Sequence, residues 1–434
     1  MRSVRIRTIE LTILLFFLFF YLYGVHFSFL PTYTSRLIVM GAIAYMLVFL
    51  INRTRVILPF DFVIVGVAYG AYLSWVLMSS SIYGFSDITI LAFTLFLLFH
   101  AFLGGVFFAI FFKKMAFSFY QFIFFLQIII VLQAFFIILY FVSWDFREFT
   151  FTYIPETGNV DHKENLFRSR GLTNGVSATL SLVQSIGLLF TAYLVSQVSY
   201  KSKKFIYLLV TFGLIFLSVF LTGRTGLLML PVVLIYLLTL LLVKERFSKN
   251  TIYFLLGLPV VFVLMFIMLK TGYQYILGGF TTQWGEDGFS RLVRWVTSEF
   301  VSSDGQIQSR TAQILMSHWF TPDSLKSFLF GDPTTWNLDR IPSDIGIVRL
   351  LHGVGLIGML LFYVLFSLIF LISVIRARGY EAKLLIIFLA IFLFMAEFKE
   401  PFLTKLQINA FIMLIFCFLV LSRDATFRRV GSLK

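Results

Sequence analysis

The chain has 434 residues, of which 59% are hydrophobic, 19% aromatic and only 13% charged. Soluble globular proteins average about 25% charged residues, so this composition excludes a water-soluble protein. The net charge of +14 raises the question of nucleic-acid binding, but the distribution of the basic residues gives a different explanation. The single cysteine, Cys417, excludes an internal disulfide and a CxxC metal or redox site.

Apolar runs follow one another along the whole chain, and most are long enough to cross a hydrocarbon core of about 30 Å as helices. The twelve predicted spans are Ile9–Leu30, Leu37–Ile51, Phe60–Met78, Ile88–Phe112, Ala116–Val142, Val176–Val198, Phe205–Leu221, Gly226–Val243, Thr251–Lys270, Ile347–Ile375, Leu384–Ala396 and Leu406–Leu421. The first run lacks a small-residue cleavage site, so we expect a retained helix and not a signal peptide. The sequence therefore predicts an all-α, polytopic transmembrane helix bundle that forms one integral membrane domain over residues 1–434.

The basic residues of the short connections lie mostly on one side of this predicted bundle. With a cytoplasmic N-terminus, the inner segments carry Arg2, Arg5, Arg7, Arg53, Arg55, Lys113, Lys114, Lys201, Lys203, Lys204, Lys244, Arg246, Lys249, Arg376, Arg378, Lys383, Arg423, Arg428, Arg429 and Lys434. The short outer connections carry only Arg36, Arg224, Lys399 and Lys405. This asymmetry follows the positive-inside rule and predicts that both termini are cytoplasmic. It also places the excess positive charge against anionic lipid, so no nucleic-acid partner is needed.

Two outer connections are long, Ser143–Gly175 and Thr271–Gly346. We expect the second to form a small helical cap, because Arg291–Phe300 and Ser309–Phe320 read as two helices, the first with apolar residues at helical spacing. Two amphipathic helices lying on the membrane surface explain this pattern as well as a binding role for their arginines does.

Signatures of soluble enzymes that use nucleotides or metals are missing from the sequence. It contains no GxxxxGK[ST], no GxGxxG after a strand, no HExxH and no GxSxG. The five histidines are scattered and no Asp-x-Asp pair occurs. We therefore expect neither a metal site nor a cofactor.

Four polar segments remain, all at the outer ends of predicted spans. They are RSRGLTNGVSATLSL (Arg168–Leu182), LTGRTGLL (Leu221–Leu228), SDIGIVRLLHGVGLIG (Ser343–Gly358) and AEFKEPFLTK (Ala396–Lys405). Arginine suits a phosphate or diphosphate, because its planar fork of donors matches the anion and never deprotonates. Arginines at this boundary could hold a lipid diphosphate whose tail stays in the bilayer.

Each candidate residue also has a structural explanation. Arg168 and Arg170 could anchor a helix end, and Arg224 could be a snorkelling interfacial arginine. The place of Arg224 in a very short outer turn favours a function. Asp344 could be the N-cap of the tenth span instead of a general base, and the base would then be sought at His352, Glu397 or Glu400. His352 lies about two turns further on, so these two residues share a helix face only approximately.

Taken together, these segments resemble the O-antigen polymerase (Wzy) family, bacterial enzymes that join lipid-linked repeat units into polysaccharide. The likeness covers nearly the whole chain, with about twelve spans, both termini inside and enlarged outer loops after the fifth and ninth spans. It rests on RSRGLTNG, on LTGRTGLL, on Ser309-Arg310 at the start of a loop helix, and on SDIGIVRLLHGVGLIG. The asparagine-proline that usually follows the first arginine motif is Asn174-Gly175 here.

The resemblance implies a lipid-dependent, GT-C-like glycosyltransferase bundle in the inner membrane of a Gram-negative bacterium, with both long loops in the periplasm. It implies metal-independent polymerisation of undecaprenyl-diphosphate-linked oligosaccharides without a cofactor, with membrane lipids and a chain-length regulator as further partners. The resemblance points to Arg170, Arg224 and Arg310 as sugar-diphosphate contacts and to Asp344 near the reaction centre. The full predicted site comprises Asp344, His352 and Arg224 for catalysis, and Arg168, Arg170, Arg224, Arg310 and Arg349 for substrate binding.

Two alternatives remain open from the sequence. The related O-antigen ligases have His-Asn where this chain has Asp344-Ile345, eleven residues before Gly355, and this departure favours a polymerase. A flippase or other polysaccharide transporter can also have twelve spans, but transport would favour polar residues deep inside many spans. In this sequence the polar residues concentrate at one face instead.

Overall fold

The computed structural model describes residues 2–51, 59–155, 169–174, 178–243, 251–260, 263, 267, 316–336 and 343–424. Helix predominates in these ranges, and they contain no strand. For the described part of the chain, the predicted all-α class is confirmed.

The helices lie close to the predicted spans. In the described ranges they are α1 (Arg2–Tyr23), α2 (Thr34–Ile51), α3 (Phe60–Ile82), α4 (Thr89–Lys114), α5 (Phe119–Val142), α6 (Trp144–Tyr153), α7 (Ala178–Gln197), α8 (Lys203–Thr222), α9 (Met229–Val243), α10 (Thr251–Val260), α11 (Leu325–Phe330), α12 (Gly346–Arg376), α13 (Tyr380–Ala396) and α14 (Leu406–Asp424). A π-helical segment, Leu97–Phe102, lies inside α4, and short 3-10 turns lie at Arg224–Leu228, Pro333–Trp336 and Phe402–Thr404.

Among the described residues, seven helices are long and apolar enough to cross a membrane. They are Phe60–Ile82, Thr89–Lys114, Phe119–Val142, Ala178–Gln197, Lys203–Thr222, Thr225–Leu242 and Gly346–Arg376. These helices support a membrane-embedded protein, as predicted. The remaining predicted spans overlap helices that do not meet this criterion within the described residues, so the count of twelve stays a prediction.

The first helix ends earlier in the chain than the sequence suggested. The apolar pattern continues to Leu30, but α1 ends at Tyr23. Gly24 adopts a φ of +57°, a left-handed conformation that stops the helix and that other residues rarely adopt. The Phe20 carbonyl accepts both the Gly24 N–H and the Thr34 hydroxyl over 3.1 Å, so the start of α2 is tied to this end of α1.

The chain divides into two compact units. Unit 1 comprises Met1–Gly24, Thr32–Phe119 and His318–Lys434, and unit 2 comprises Val25–Pro31 and Tyr120–Ser317.

Unit 1 is built around α14, which is buried from Ile408 to Leu421 and packs against α4, α1 and α12. Gly105 of α4 lies against the backbone of Met413, where a side chain would force the helices apart.

Helices α3 and α12 of unit 1 run antiparallel. Asp61, in the first turn of α3, forms an ion pair of 2.6 Å with Arg376 in the last turn of α12. Towards the other end, the Trp75 indole donates to the Val354 carbonyl over 2.9 Å.

Unit 2 has α7 at its centre, buried along nearly its whole length. Polar side chains join it to its neighbours. The Gln127 amide of α5 donates to the Thr191 hydroxyl, and the Ser218 hydroxyl of α8 donates to Gln184 over 3.2 Å. Hydrogen bonds of this kind are a common link between helices in membranes, where lipid offers no competing partner.

Candidate active site

The start of α12 leaves Asp344 free of a capping role. The helix begins at Gly346 and its N-cap is Ile345, with no side-chain cap bond. The hydroxyl of Ser343, not the carboxylate of Asp344, accepts the Ile345 N–H over 3.2 Å. Asp344 is exposed. The helix-cap explanation for Asp344 is therefore wrong, and its carboxylate is accessible to a ligand.

Arg349 lies one turn into the same helix with a fixed guanidinium. Its Nε donates to the Ser343 carbonyl over 2.8 Å. Its Nη2 is buried and has no hydrogen-bond partner among the described residues. A guanidinium donor without a partner among the described residues suits an oxygen of an anionic ligand.

The turn between α13 and α14 brings two further charges to this position. Burial raises the pKa of Glu400. The positive charges of Lys405 and Lys399 lower this pKa, and the negative charge of Asp344 raises it. Burial lowers the pKa of Lys405, and the negative charge of Glu400 is the main effect that raises it. These mutual effects place Asp344, Arg349, Glu400 and Lys405 within electrostatic reach of one another, and we refer to these four residues as the α12 cluster.

Glu397 connects the turn between α13 and α14 to the start of α12. It is 1% exposed, and its side chain accepts the Leu403 N–H at 2.5 Å and the Tyr363 hydroxyl at 3.4 Å. Its backbone carbonyl accepts the Gly346 N–H at 2.9 Å. Burial raises the pKa of Glu397 to about 8. Because it is inaccessible and joins the turn to the start of α12, Glu397 is a positioning residue.

His352 has contacts of its own, separate from the α12 cluster. Its Nε2 lies 3.3 Å from the Phe320 carbonyl, and its ring meets the Phe320 ring edge-on at 5.1 Å. Its backbone carbonyl accepts the Asp332 N–H over 2.6 Å. The charged side chain that acts on it is Asp323. Through these contacts, His352 holds residues 318–332 against α12.

The glycines of Gly353–Gly358 have a structural explanation. Gly355 has a φ of +71° inside α12 and divides it into two helices. Gly331, with a φ of +75°, packs directly on it, and neither site has room for a side chain. At the kink, the Val354 carbonyl accepts the hydrogen bond of the Trp75 indole N–H.

In unit 2, the segment Ser169–Asn174 forms what we call the arginine turn. Arg170 is fully buried, with its guanidinium over the Phe151 ring at 4.7 Å from the centroid. Its carbonyl accepts the Gln133 amide at 3.1 Å and the Thr173 hydroxyl at 2.8 Å. Asn174 closes the turn, because its amide donates to the His26 and Pro155 carbonyls. These contacts order the turn and keep Arg170 away from the surface.

The predicted site includes three further arginines. Arg168 and Arg310 lie outside the described residues, and so does the side chain of Arg224. The backbone at Arg224 begins a 3-10 turn that α7 holds in place. There, the Ser181 hydroxyl accepts the Gly226 N–H over 3.0 Å and donates to the Gly223 carbonyl.

The sequence offered Glu397 and Glu400 only as replacements for Asp344 as the base, and it did not place Lys405 in the site. The segment AEFKEPFLTK was noticed for its charges, but only the packing of α13 and α14 against α12 brings those charges to Asp344. It also missed Arg147, which is 4% exposed and donates to the Tyr140 and Phe141 carbonyls at the end of α5. A cation at a helix C-terminus has a structural role.

Comparisons with protein-family models, with curated proteins and with solved structures found no match for this chain.

Proposed function

We propose that this chain polymerises undecaprenyl-diphosphate-linked oligosaccharide repeat units into a surface polysaccharide at the periplasmic face of a Gram-negative inner membrane. The observation that carries the proposal is the α12 cluster. In it an exposed carboxylate, Asp344, lies at the start of the same helix as Arg349, whose guanidinium has an open donor. A glycosyl transfer from a lipid diphosphate needs these two kinds of group, a proton acceptor and an anion-stabilising cation.

The reaction follows from the chemistry of these groups. The acceptor hydroxyl attacks the anomeric carbon of the donor glycan while the bond from that carbon to the diphosphate oxygen breaks. The hydroxyl proton passes to the Asp344 carboxylate, and the carrier diphosphate leaves with the bonding electron pair. Glu400 is the second proton acceptor in reach, because burial raises its pKa above the ordinary range for a carboxylate.

Arg349 and Lys405 supply the charge that the leaving group needs. Arg349 is held by the Ser343 carbonyl, so its guanidinium is already oriented when negative charge develops on the diphosphate. Preorganised donors of this kind contribute about 10²–10³ in rate each. For Arg168, Arg170, Arg224 and Arg310, a role in substrate binding is supported by the sequence pattern and the family resemblance alone.

The decisive experiment is chain elongation in proteoliposomes that contain the purified protein, labelled lipid-linked repeat units and no ion gradient. We expect products longer than one repeat unit. Transfer of finished polymer to lipid A core without elongation would identify a ligase. Exchange of label between leaflets without elongation would identify a transporter. Either of these results would overturn the proposal.

The transporter alternative has one observation in its favour, the kink at Gly355, since broken helices line many transport sites. However, the protein itself fills this break. The Trp75 indole donates a hydrogen bond to the Val354 carbonyl, and the N–H of Asp332 donates to the carbonyl of His352. A cargo site would need these carbonyls to be open, so polymerisation remains the proposed function.

The proposed orientation can be tested separately. Reporter fusions within Ser143–Gly175 and Thr271–Gly346 should report the periplasm, and fusions at Lys201 or Arg378 should report the cytoplasm. A cytoplasmic signal from Thr271–Gly346 would contradict both the orientation and a periplasmic reaction.

A further inference from the structure

Unit 1 contains an apolar groove between α1, α2 and α4. Its volume is about 810 Å³, within the range of about 300–1,000 Å³ that is usual for ligand sites. Leu14, Ala42 and Phe108 form a buried floor, and Ile13 and Phe17 form an exposed rim. In a membrane, a groove of this kind is open to the hydrocarbon phase and has the shape and polarity for an acyl chain.

One end of this groove carries two opposite charges. Glu10 and Lys114 both line it, and both are exposed. Tyr21 of α1 donates to the Ala101 carbonyl of α4 over 3.1 Å. Glu10 lies about three turns before Tyr21, and Lys114 about as far after Ala101, so the antiparallel helices bring the two charges to the same end.

Glu10 and Lys114 do not neutralise each other. Among the described residues, neither takes part in an ion pair or hydrogen bond. Both residues lie at the same boundary of the predicted first and fourth spans, which is the depth of the lipid headgroups. A ligand that carries a cation and an anion close together would satisfy both residues at once.

We infer that this groove binds a phospholipid with a primary amine in its headgroup, of the phosphatidylethanolamine type. The acyl chain fills the apolar groove, the phosphate meets Lys114, and the ammonium donates to the Glu10 carboxylate. A phosphatidylcholine headgroup has the same charges but no N–H donor for Glu10. A phosphatidylglycerol headgroup has no cation for it. This ligand is distinct from the proposed substrate, and its site is separate from the α12 cluster.

The test uses the purified, delipidated full chain in detergent. Phosphatidylethanolamine, phosphatidylcholine and phosphatidylglycerol with identical acyl chains are titrated separately, and the bound lipid is counted by native mass spectrometry. We expect one saturable site with phosphatidylethanolamine bound most tightly. Glu10→Gln should reduce the preference over phosphatidylcholine by about two- to fivefold, as for a partly exposed ion pair. Lys114→Gln should weaken all three lipids.

A steric variant tests the position of the site. No atom lies near the point where a side chain would begin at Gly41, which lines the groove, so Gly41→Leu should fold normally and fill it. Gly66 of α3 is equally open and lies outside the groove, so Gly66→Leu is the matched control. We expect Gly41→Leu to remove the saturable binding and Gly66→Leu to retain it.

Three results would overturn the inference. Equal affinity of the unaltered protein for phosphatidylethanolamine and phosphatidylcholine would remove the role of Glu10. Tighter binding of phosphatidylglycerol would indicate a site for anionic lipid instead. Saturable binding that survives Gly41→Leu would place the lipid elsewhere on the protein.

Discussion

The α12 cluster of unit 1 and the arginine turn of unit 2 share one sequence feature but differ in physical state. Each has a basic residue beside the start of a predicted span, and in each a small polar residue is close by. In the α12 cluster the charged groups are exposed or half-buried and are of both signs. In the arginine turn, Arg170 is fully buried over Phe151. Burial, more than sequence position, therefore separates a candidate reactive group from a structural one.

The largest expected effect is that of Asp344→Asn. A general base contributes about 10²–10⁴ in rate, so elongation should fall by that factor while insertion and binding of the lipid-linked substrate persist. The measurement is elongation of labelled repeat units in proteoliposomes. The matched control is Asp87→Asn, because Asp87 does accept the N–H of Thr89 at the start of α4, over 2.8 Å. Near-normal elongation by Asp344→Asn would exclude it as the base and move the role to Glu400.

The second effect is that of Arg349→Lys, which keeps the charge but loses the planar fork that Ser343 orients. We expect elongation to fall by about 10²–10³, seen in kcat more than in KM. Arg36→Lys is the control, since Arg36 is an exposed arginine at the start of α2. Equal rates for the two variants would show that Arg349 contributes only charge.

Arg170→Leu should show the opposite behaviour, a loss of stability with retained activity. Removing a desolvated cation–π contact costs about 2 kcal/mol, so the unfolding temperature in detergent should fall. Elongation per folded molecule should remain within severalfold of the unaltered protein. A hundredfold loss in folded Arg170→Leu would instead place this residue in the substrate-binding set that the family resemblance implies.

The remaining prediction concerns the pH dependence of stability that Glu397 produces. Its pKa is raised from 4.5 to about 8, so its contribution to stability is fully present below about pH 4.5. This contribution decreases by about 1.4 kcal/mol per pH unit up to about pH 8 and is constant above that.

Glu397→Gln should remove this slope, because the amide does not titrate. Thermal unfolding of both proteins from pH 5 to 9 measures the difference and cancels the titration of Glu400 and Lys405. We expect the variant to match the unaltered protein near pH 5 and to be more stable at pH 9. Parallel curves would contradict a buried, proton-binding Glu397.

Part of this architecture follows from local sequence. An apolar run of about twenty residues has few stable forms other than a helix in lipid, because every backbone polar group must be satisfied within it. The predicted spans therefore overlap the observed helices, and α12 begins within one residue of its predicted start. The premature end of α1 at Gly24 was missed, because an apolar pattern does not report a positive φ.

The composition of the candidate site was decided by tertiary structure. From the sequence, Asp344 had two explanations, and the backbone at Ile345 and the hydroxyl of Ser343 removed one of them. Glu400 and Lys405 are more than fifty residues away in the chain, and only helix packing brings their charges to Asp344. The sequence determined that the protein is helical and apolar, since these properties depend on local hydrogen bonding and hydropathy. Which charges meet, and which are buried, depends on long-range packing and was decided only by the fold.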